Sequence, residues 1–130
     1  MKESTAHALR SAGLDPVAVE RIVRLALDED LGPDLLDVTT VATVPDAQAD
    51  TADLVARADG VVAGLAVAAS VFETVAEAGS GRSADVASRV SDGARVAKGD
   101  VLATVAGRTR ALLTAERTAL NLLCRMSGVA

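Results

Sequence analysis

The sequence predicts an α+β fold, an α/β sandwich in which one mostly antiparallel sheet of about four strands is covered by helices. Three observations predict it. The segments run helix, two strands, helix, two strands, helix, an order suited to neighbouring antiparallel strands with helices layered on them. The strand candidates are short and bounded by glycine-containing turns. The 130 residues, half of them apolar, suffice for one core but not for two domains.

Residues 1–14 read as a polar amino-terminal extension, frayed around His7. Asp15-Pro16 then gives an N-cap followed by proline at the first helical position, where its missing N–H costs nothing. Val19, Ile22, Val23, Ala26 and Leu27 form one apolar stripe at helical period and are expected in the core. Asp28-Glu29-Asp30 closes this helix with acids where the macrodipole prefers cations, and Gly32-Pro33 stops it. Residues 34–44, with Asp37-Val38-Thr39-Thr40, have no period and read as an ordered loop.

Residues 49–58 and Gly60-Val61-Val62-Ala63-Gly64 are expected to be adjacent strands joined by a tight turn at Asp59-Gly60. Residues 65–78 predict a helix with Val67, Val71, Val75 and Phe72 inward and Glu73 and Glu77 on the wet side. Two further strands follow, one carrying Ala84, Val86 and Val90, the other running from Val101 to Val105. Asp92-Gly93 and Lys98-Gly99-Asp100 supply the turns. From Thr109 to Met126 there is neither glycine nor proline, and the Leu- and Ala-rich segment is the strongest helix signal in the chain.

Composition narrows the function. No apolar run reaches the ~20 residues of a membrane span, and Met1-Lys2-Glu3-Ser4-Thr5 lacks the pattern of a signal peptide. A soluble, cytoplasmic protein is therefore expected, with no membrane partner. One cysteine, Cys124, and one histidine cannot build a Cys/His metal cluster, and Cys124 reads as a buried small hydrophobe. A net charge of -5 and a single aromatic, Phe72, argue against nucleic acid as a partner.

The last helix carries the candidate chemistry. Arg110, Thr114, Arg117, Asn121 and Arg125 fall on one narrow face. Guanidinium forks match carboxylates and phosphates bidentately, so the stripe suits a small multiply acidic anion. A solvated amphipathic face is the bland alternative and, from spacing alone, the commoner one. Glu116 lies about 100° from Arg117 round the helix, placed to pair with a neighbour or to be buried. No residue is expected to act as a catalytic acid, base or nucleophile, and none as a metal ligand. Residues 92–102 resemble the turn-and-strand phrasing of biotinyl and lipoyl carriers, with Lys98 as the modifiable lysine, although the flanking methionines typical of biotinyl carriers are absent. A non-catalytic interaction module is the remaining alternative.

Taken in order, six motifs resemble the first part of the quinolinate phosphoribosyltransferase family. They are Ala26-Leu27-Asp28-Glu29-Asp30-Leu31 with Asp37-Val38-Thr39-Thr40, then Gly60-Val61-Val62-Ala63-Gly64, then Val90-Ser91-Asp92-Gly93-Ala94-Arg95-Val96. Gly99-Asp100-Val101-Leu102, Leu113-Thr114-Ala115-Glu116-Arg117-Thr118-Ala119-Leu120-Asn121 and Ser127-Gly128-Val129-Ala130 complete the set. The resemblance implies an enzyme that joins quinolinate to phosphoribosyl pyrophosphate with magnesium and releases pyrophosphate and carbon dioxide, leaving nicotinate mononucleotide for NAD biosynthesis. It implies residues 15–126 as an amino-terminal domain that caps the active site of the other subunit in a homodimer. Arg117 would bind quinolinate there, with Arg110, Glu116 and Asn121 as supporting candidates and Arg125 unassigned. In the family an α/β barrel follows, with residues 127–130 as its start. The barrel would hold the magnesium and most of the site, so the 130 residues alone are expected to bind no metal and to be inactive.

Overall fold

The computed structural model describes residues 1–32, 42–80 and 83–130, and the expected loop centred on Asp37-Val38-Thr39-Thr40 lies largely outside them. The described elements are α1 (Glu3–Ser11), α2 (Pro16–Leu31), β1 (Ala49–Val55), β2 (Gly60–Val61), α3 (Leu65–Ser80), β3 (Asp85–Ser88), β4 (Arg95–Val96), β5 (Val101–Arg108) and α4 (Thr109–Val129). They form an α+β domain whose strand pairs are all antiparallel. β5 lies between β1 and β3 in a three-stranded sheet, and β2 pairs with β4 in a second, two-stranded ribbon.

The amino terminus departs from the expected polar extension. Residues 3–11 are helical, and Leu9 is fully buried in the common core with Thr5 and Ala6 beside it. A single buried leucine on a short polar segment is a weak periodic signal, yet it is enough to dock α1 on α3. α2 starts as the sequence requires: Asp15 caps it by accepting the Val17 N–H at 3.1 Å. Val19, Val23 and Leu27 are buried, whereas Ile22 is exposed. Ile22 stands about 40° beyond Ala26 on the stripe, at the edge that turns to solvent.

Strand partners differ from the hairpin expected between residues 49–58 and 60–64. β1 pairs with β5 from Ala49↔Arg108 to Val55↔Val101, while β2 pairs only through Gly60↔Val96 and Val61↔Arg95. The eight-residue β5 offers β1 a ladder that a two-residue β2 cannot, and backbone groups go to the partner that satisfies more of them. Beyond a register shift at Leu54/Val55, the Ala56 N–H still donates to the Asp100 carbonyl at 2.9 Å and the Gly99 N–H to the Ala56 carbonyl at 2.8 Å. Gly99 turns there with φ 96°, in a region that favours glycine.

α3 is the central helix of the core. Val71, Phe72, Val75 and Ala76 are buried on it, each large side chain contributing roughly 1.5–3 kcal/mol by leaving water. Its start is capped from outside, the Leu65 N–H donating to Asp92 Oδ1 at 3.1 Å. Glu73, expected on the wet side, is only 1% exposed. Its carboxylate accepts the Lys2 N–H at 2.8 Å and the Thr5 hydroxyl at 2.5 Å, so it caps α1 from a neighbouring helix. Glu77 does face outward and pairs with the amino-terminal ammonium at 3.1 Å.

Candidate functional site

α4 positions the candidate residues, and it is fastened at its start, middle and end. At its start the Thr109 N–H donates to the Gln48 carbonyl at 2.9 Å, and the Thr109 hydroxyl donates to Asp50 at 2.6 Å. In the middle, Thr118 donates to Asp30 at 2.8 Å. Near its end, the Ser127 hydroxyl accepts the Ala63 N–H at 3.0 Å and stands 3.2 Å from the Ala63 carbonyl. Leu112, Ala115, Ala119 and Leu123 are buried beneath it, and the fully buried alanines leave room for close approach to α3.

The arginine stripe is divided by these constraints. Arg110 is drawn back toward the segment before β1: its Nε donates to the Val44 carbonyl at 2.6 Å, and Nη1 lies 3.9 Å from Asp46. Arg117, by contrast, is exposed, and no hydrogen bond or ion pair holds it among the described residues. Asn121 and Arg125 are exposed on the same side. Glu116, expected to be paired or buried, is neither: it is exposed, because its side of α4 looks over the edge of β1. Cys124 is likewise exposed, a correction to the buried thiol expected from its leucine-rich surroundings. The burial arc of α4 passes through Leu123 and leaves Cys124 about 100° away.

Two cavities lie along the seam between β1 and α4, the smaller lined by α4 residues before Arg117 in sequence and the larger by α4 residues after it. The larger, about 510 Å³, is lined by Leu54, Val61, Leu102, Leu120, Asn121 and Cys124 among others. The smaller, about 220 Å³, has Phe72, Val105 and Leu112 at its floor and Asp50, Asp53 and Glu116 among its lining residues. The acidity of Asp50 is displaced. The Thr109 hydroxyl, and after it the Gln48 amide, hold its carboxyl below the ordinary carboxylate value.

Among the described residues no three His, Cys, Asp or Glu side chains gather as a metal site. Lys98 sits in the turn between β4 and β5, where its own N–H donates to Asp59 Oδ1 at 2.8 Å and the turn closes from Asp100 N–H to the Ala97 carbonyl at 3.0 Å. No helix among the described residues is long and apolar enough to cross a membrane.

Sequence reasoning missed the contacts that hold the site in place. Thr118, Ser127, Asp92 and Glu73 all act across elements distant in sequence. Only one gave a signal beforehand, the acid cluster at the end of α2, whose break with the dipole preference is met in the structure by the Asp30–Thr118 bond.

Fold and site together define a class: a small α+β domain that turns an apolar seam and an exposed guanidinium outward from α4. The family model described as quinolinate phosphoribosyl transferase, N-terminal domain, matches residues 37–127. A carboxylating nicotinate-nucleotide pyrophosphorylase of Mycobacterium leprae (strain TN) is 48% identical over 113 residues, which cover 87% of this chain and 38% of that protein. A decarboxylating quinolinate phosphoribosyltransferase of Nicotiana glauca is 37% identical over 132 residues, covering 98% of this chain and 36% of its own length. The crystal structure of NadC from Streptococcus pyogenes superposes with a TM-score of 0.79 at 31% identity, over 89% of this chain and 39% of that one. The chain belongs to the quinolinate phosphoribosyltransferase family and carries its amino-terminal domain. It spans less than two-fifths of the length of these relatives. The family assignment does not favour a carrier role for Lys98.

Proposed function

We propose that the chain is the amino-terminal part of an enzyme that condenses quinolinate with phosphoribosyl pyrophosphate, releasing pyrophosphate and carbon dioxide and leaving nicotinate mononucleotide for NAD biosynthesis. In a cytoplasmic homodimer the domain caps the partner subunit's active site, and Arg117 neutralises and orients one quinolinate carboxylate. The observation that carries this reading is the state of Arg117, whose side chain is exposed and without an internal partner among the described residues. A guanidinium already paired inside the domain would have to break that pair before it could receive a ligand. Quinolinate carries two carboxylates, and a planar fork of donors in a site closed from water both binds and aligns one of them. Magnesium is proposed to be held outside this domain, by groups of the barrel together with substrate phosphates. Without the barrel, the 130 residues are expected to be inactive alone.

Arg117→Ala in the full-length enzyme tests the reading by steady-state kinetics with each substrate varied. The expected result is a fall of about 100-fold or more in kcat/KM for quinolinate, with the KM for phosphoribosyl pyrophosphate changed by less than about 3-fold. Arg117→Lys should recover only part of the loss, since an ammonium keeps the charge but not the fork. Equal losses for both substrates would remove Arg117 from this role.

A further inference from the structure

One residue beyond Arg117, a buried hydroxyl is tied to another helix. Thr118 is 3% exposed, and its Oγ1 donates to Asp30 Oδ2 at 2.8 Å. A threonine within a helix commonly turns its hydroxyl back to the carbonyl four residues earlier, but this one reaches across to α2. Its acceptor sits in the last turn of α2, where no basic residue is present and where the helix dipole disfavours an acid. Both ends of the bond thus run against local preference, and a valine at 118 would fill the same space without needing a partner.

What the bond supplies is direction. α4 is otherwise packed in its middle through the buried Ala115 and Ala119, and apolar contact of this kind is non-directional. Among the described residues, the other side-chain hydrogen bonds of α4 lie near its ends, at Thr109, Arg110 and Ser127. Rotation of the middle turns moves the arginine tip a long way: 10° displaces a group roughly 8 Å from the helix axis by about 1.4 Å. A misplacement of about 1 Å can cost on the order of 100-fold in rate. We propose that the Asp30–Thr118 hydrogen bond positions Arg117, fixing the rotation of α4 at the turn from which the guanidinium leaves. The inference rests on the reading of Arg117 as a quinolinate ligand, and Asp30 and Thr118 act through it without touching substrate.

The test is made in the full-length enzyme with Thr118→Val, Thr118→Ser, Asp30→Ala and Arg117→Ala, and with Thr118→Val combined with Arg117→Ala. Thr118→Val and Asp30→Ala should each raise the KM for quinolinate about 5- to 10-fold, leaving that for phosphoribosyl pyrophosphate within about 2-fold. Thr118→Ser, which keeps the hydroxyl, should restore the wild-type value. In the Arg117→Ala background Thr118→Val should add nothing, because the group being positioned is gone. The inference is overturned if Thr118→Val and Asp30→Ala leave the quinolinate KM unchanged, raise both KM values alike, or act as strongly without Arg117. Should Thr118→Val fail to fold, Asp30→Ala carries the comparison, since Asp30 is exposed and the Thr118 hydroxyl left behind can turn to the carbonyl four residues earlier in its own helix. A silent Arg117→Ala would instead refute the substrate role itself, whereas a severe Arg117→Ala beside a silent Thr118→Val refutes the positioning alone.

Discussion

Glu73 shows how one carboxylate can organise a terminus. It is buried on α3 and satisfies both the Lys2 N–H and the Thr5 hydroxyl, so removing it strands two donors in the seam where α1 docks. Glu73→Ala should destabilise the protein by roughly 1–3 kcal/mol, and Glu73→Gln by less, as read from urea unfolding midpoints at constant slope. Helical spacing alone assigned this glutamate to solvent, because an acid on an amphipathic helix usually faces water, and nothing local reveals that a distant helix start will need an acceptor. Arg117 was singled out by its surroundings in sequence, which resemble a family motif, while its spacing alone did not separate it from Arg110, which the structure ties to Val44 and Asp46. Asp50 carries the pH dependence at this scale. The Thr109 hydroxyl, then the Gln48 amide, stabilise its ionised form in the fold. The folded pKa lies below the unfolded one, so the contribution is complete above the unfolded value and is lost as pH falls through the folded value. Thr109→Val should raise the Asp50 pKa toward the ordinary carboxylate value, followed by NMR titration of its side-chain carboxyl resonance; an unmoved titration would assign the shift to some other group.

Between elements, the joint of β2, α3 and α4 is the most tightly specified. Gly64 has φ 97°, and a Cβ there would stand 2.7 Å from Met126 Sδ and 3.2 Å from Met126 Cβ. Gly64→Ala therefore meets a backbone penalty and a steric one and should cost roughly 2–4 kcal/mol. Gly13→Ala provides the control: its φ is 81° but nothing lies within 4 Å of the added carbon, so only the backbone part, about 1–2 kcal/mol, is expected. Thermal or urea unfolding of the two variants separates the parts, and equal losses would mean that Met126 yields without resistance. α2, α3 and α4 were legible because each carries its own evidence, such as the Asp15 cap of α2 and the Leu/Ala run of α4, whereas α1 carries too few apolar residues to show a period. The pairing of β2 with β4 was not. A two-residue ladder leaves no periodic trace, and β1 is claimed by β5 because length and register, which are settled between distant segments, decide which backbone groups are satisfied.

Across the whole molecule, stability should be graded outward from β5 and α3. β5 is paired along both edges, and Leu102, Ala103 and Val105 are buried on it. α3 is packed by α1, α2 and α4 and by the sheet, with a nearly continuous buried stretch from Val67 to Ala76. The β2–β4 ribbon has two paired positions, and β1 exposes six of its seven residues. Opening the ribbon thus costs few contacts, while opening β5 unzips two ladders and uncovers the core. Native-state hydrogen exchange should find the slowest amides in β5 from Leu102 to Ala106 and in the middle of α3. Protection should fall through α4 and β1 and be least in β2, β4 and the turn that carries Lys98. Within α4, the Asp30–Thr118 bond should keep the turn around Arg117 better protected than the exposed last turn around Gly128. Exchange of the Arg117 turn as fast as that last turn would show that the middle of α4 opens freely, and a guanidinium on so loose a turn would have to be ordered at the moment its anion binds, at a cost in affinity.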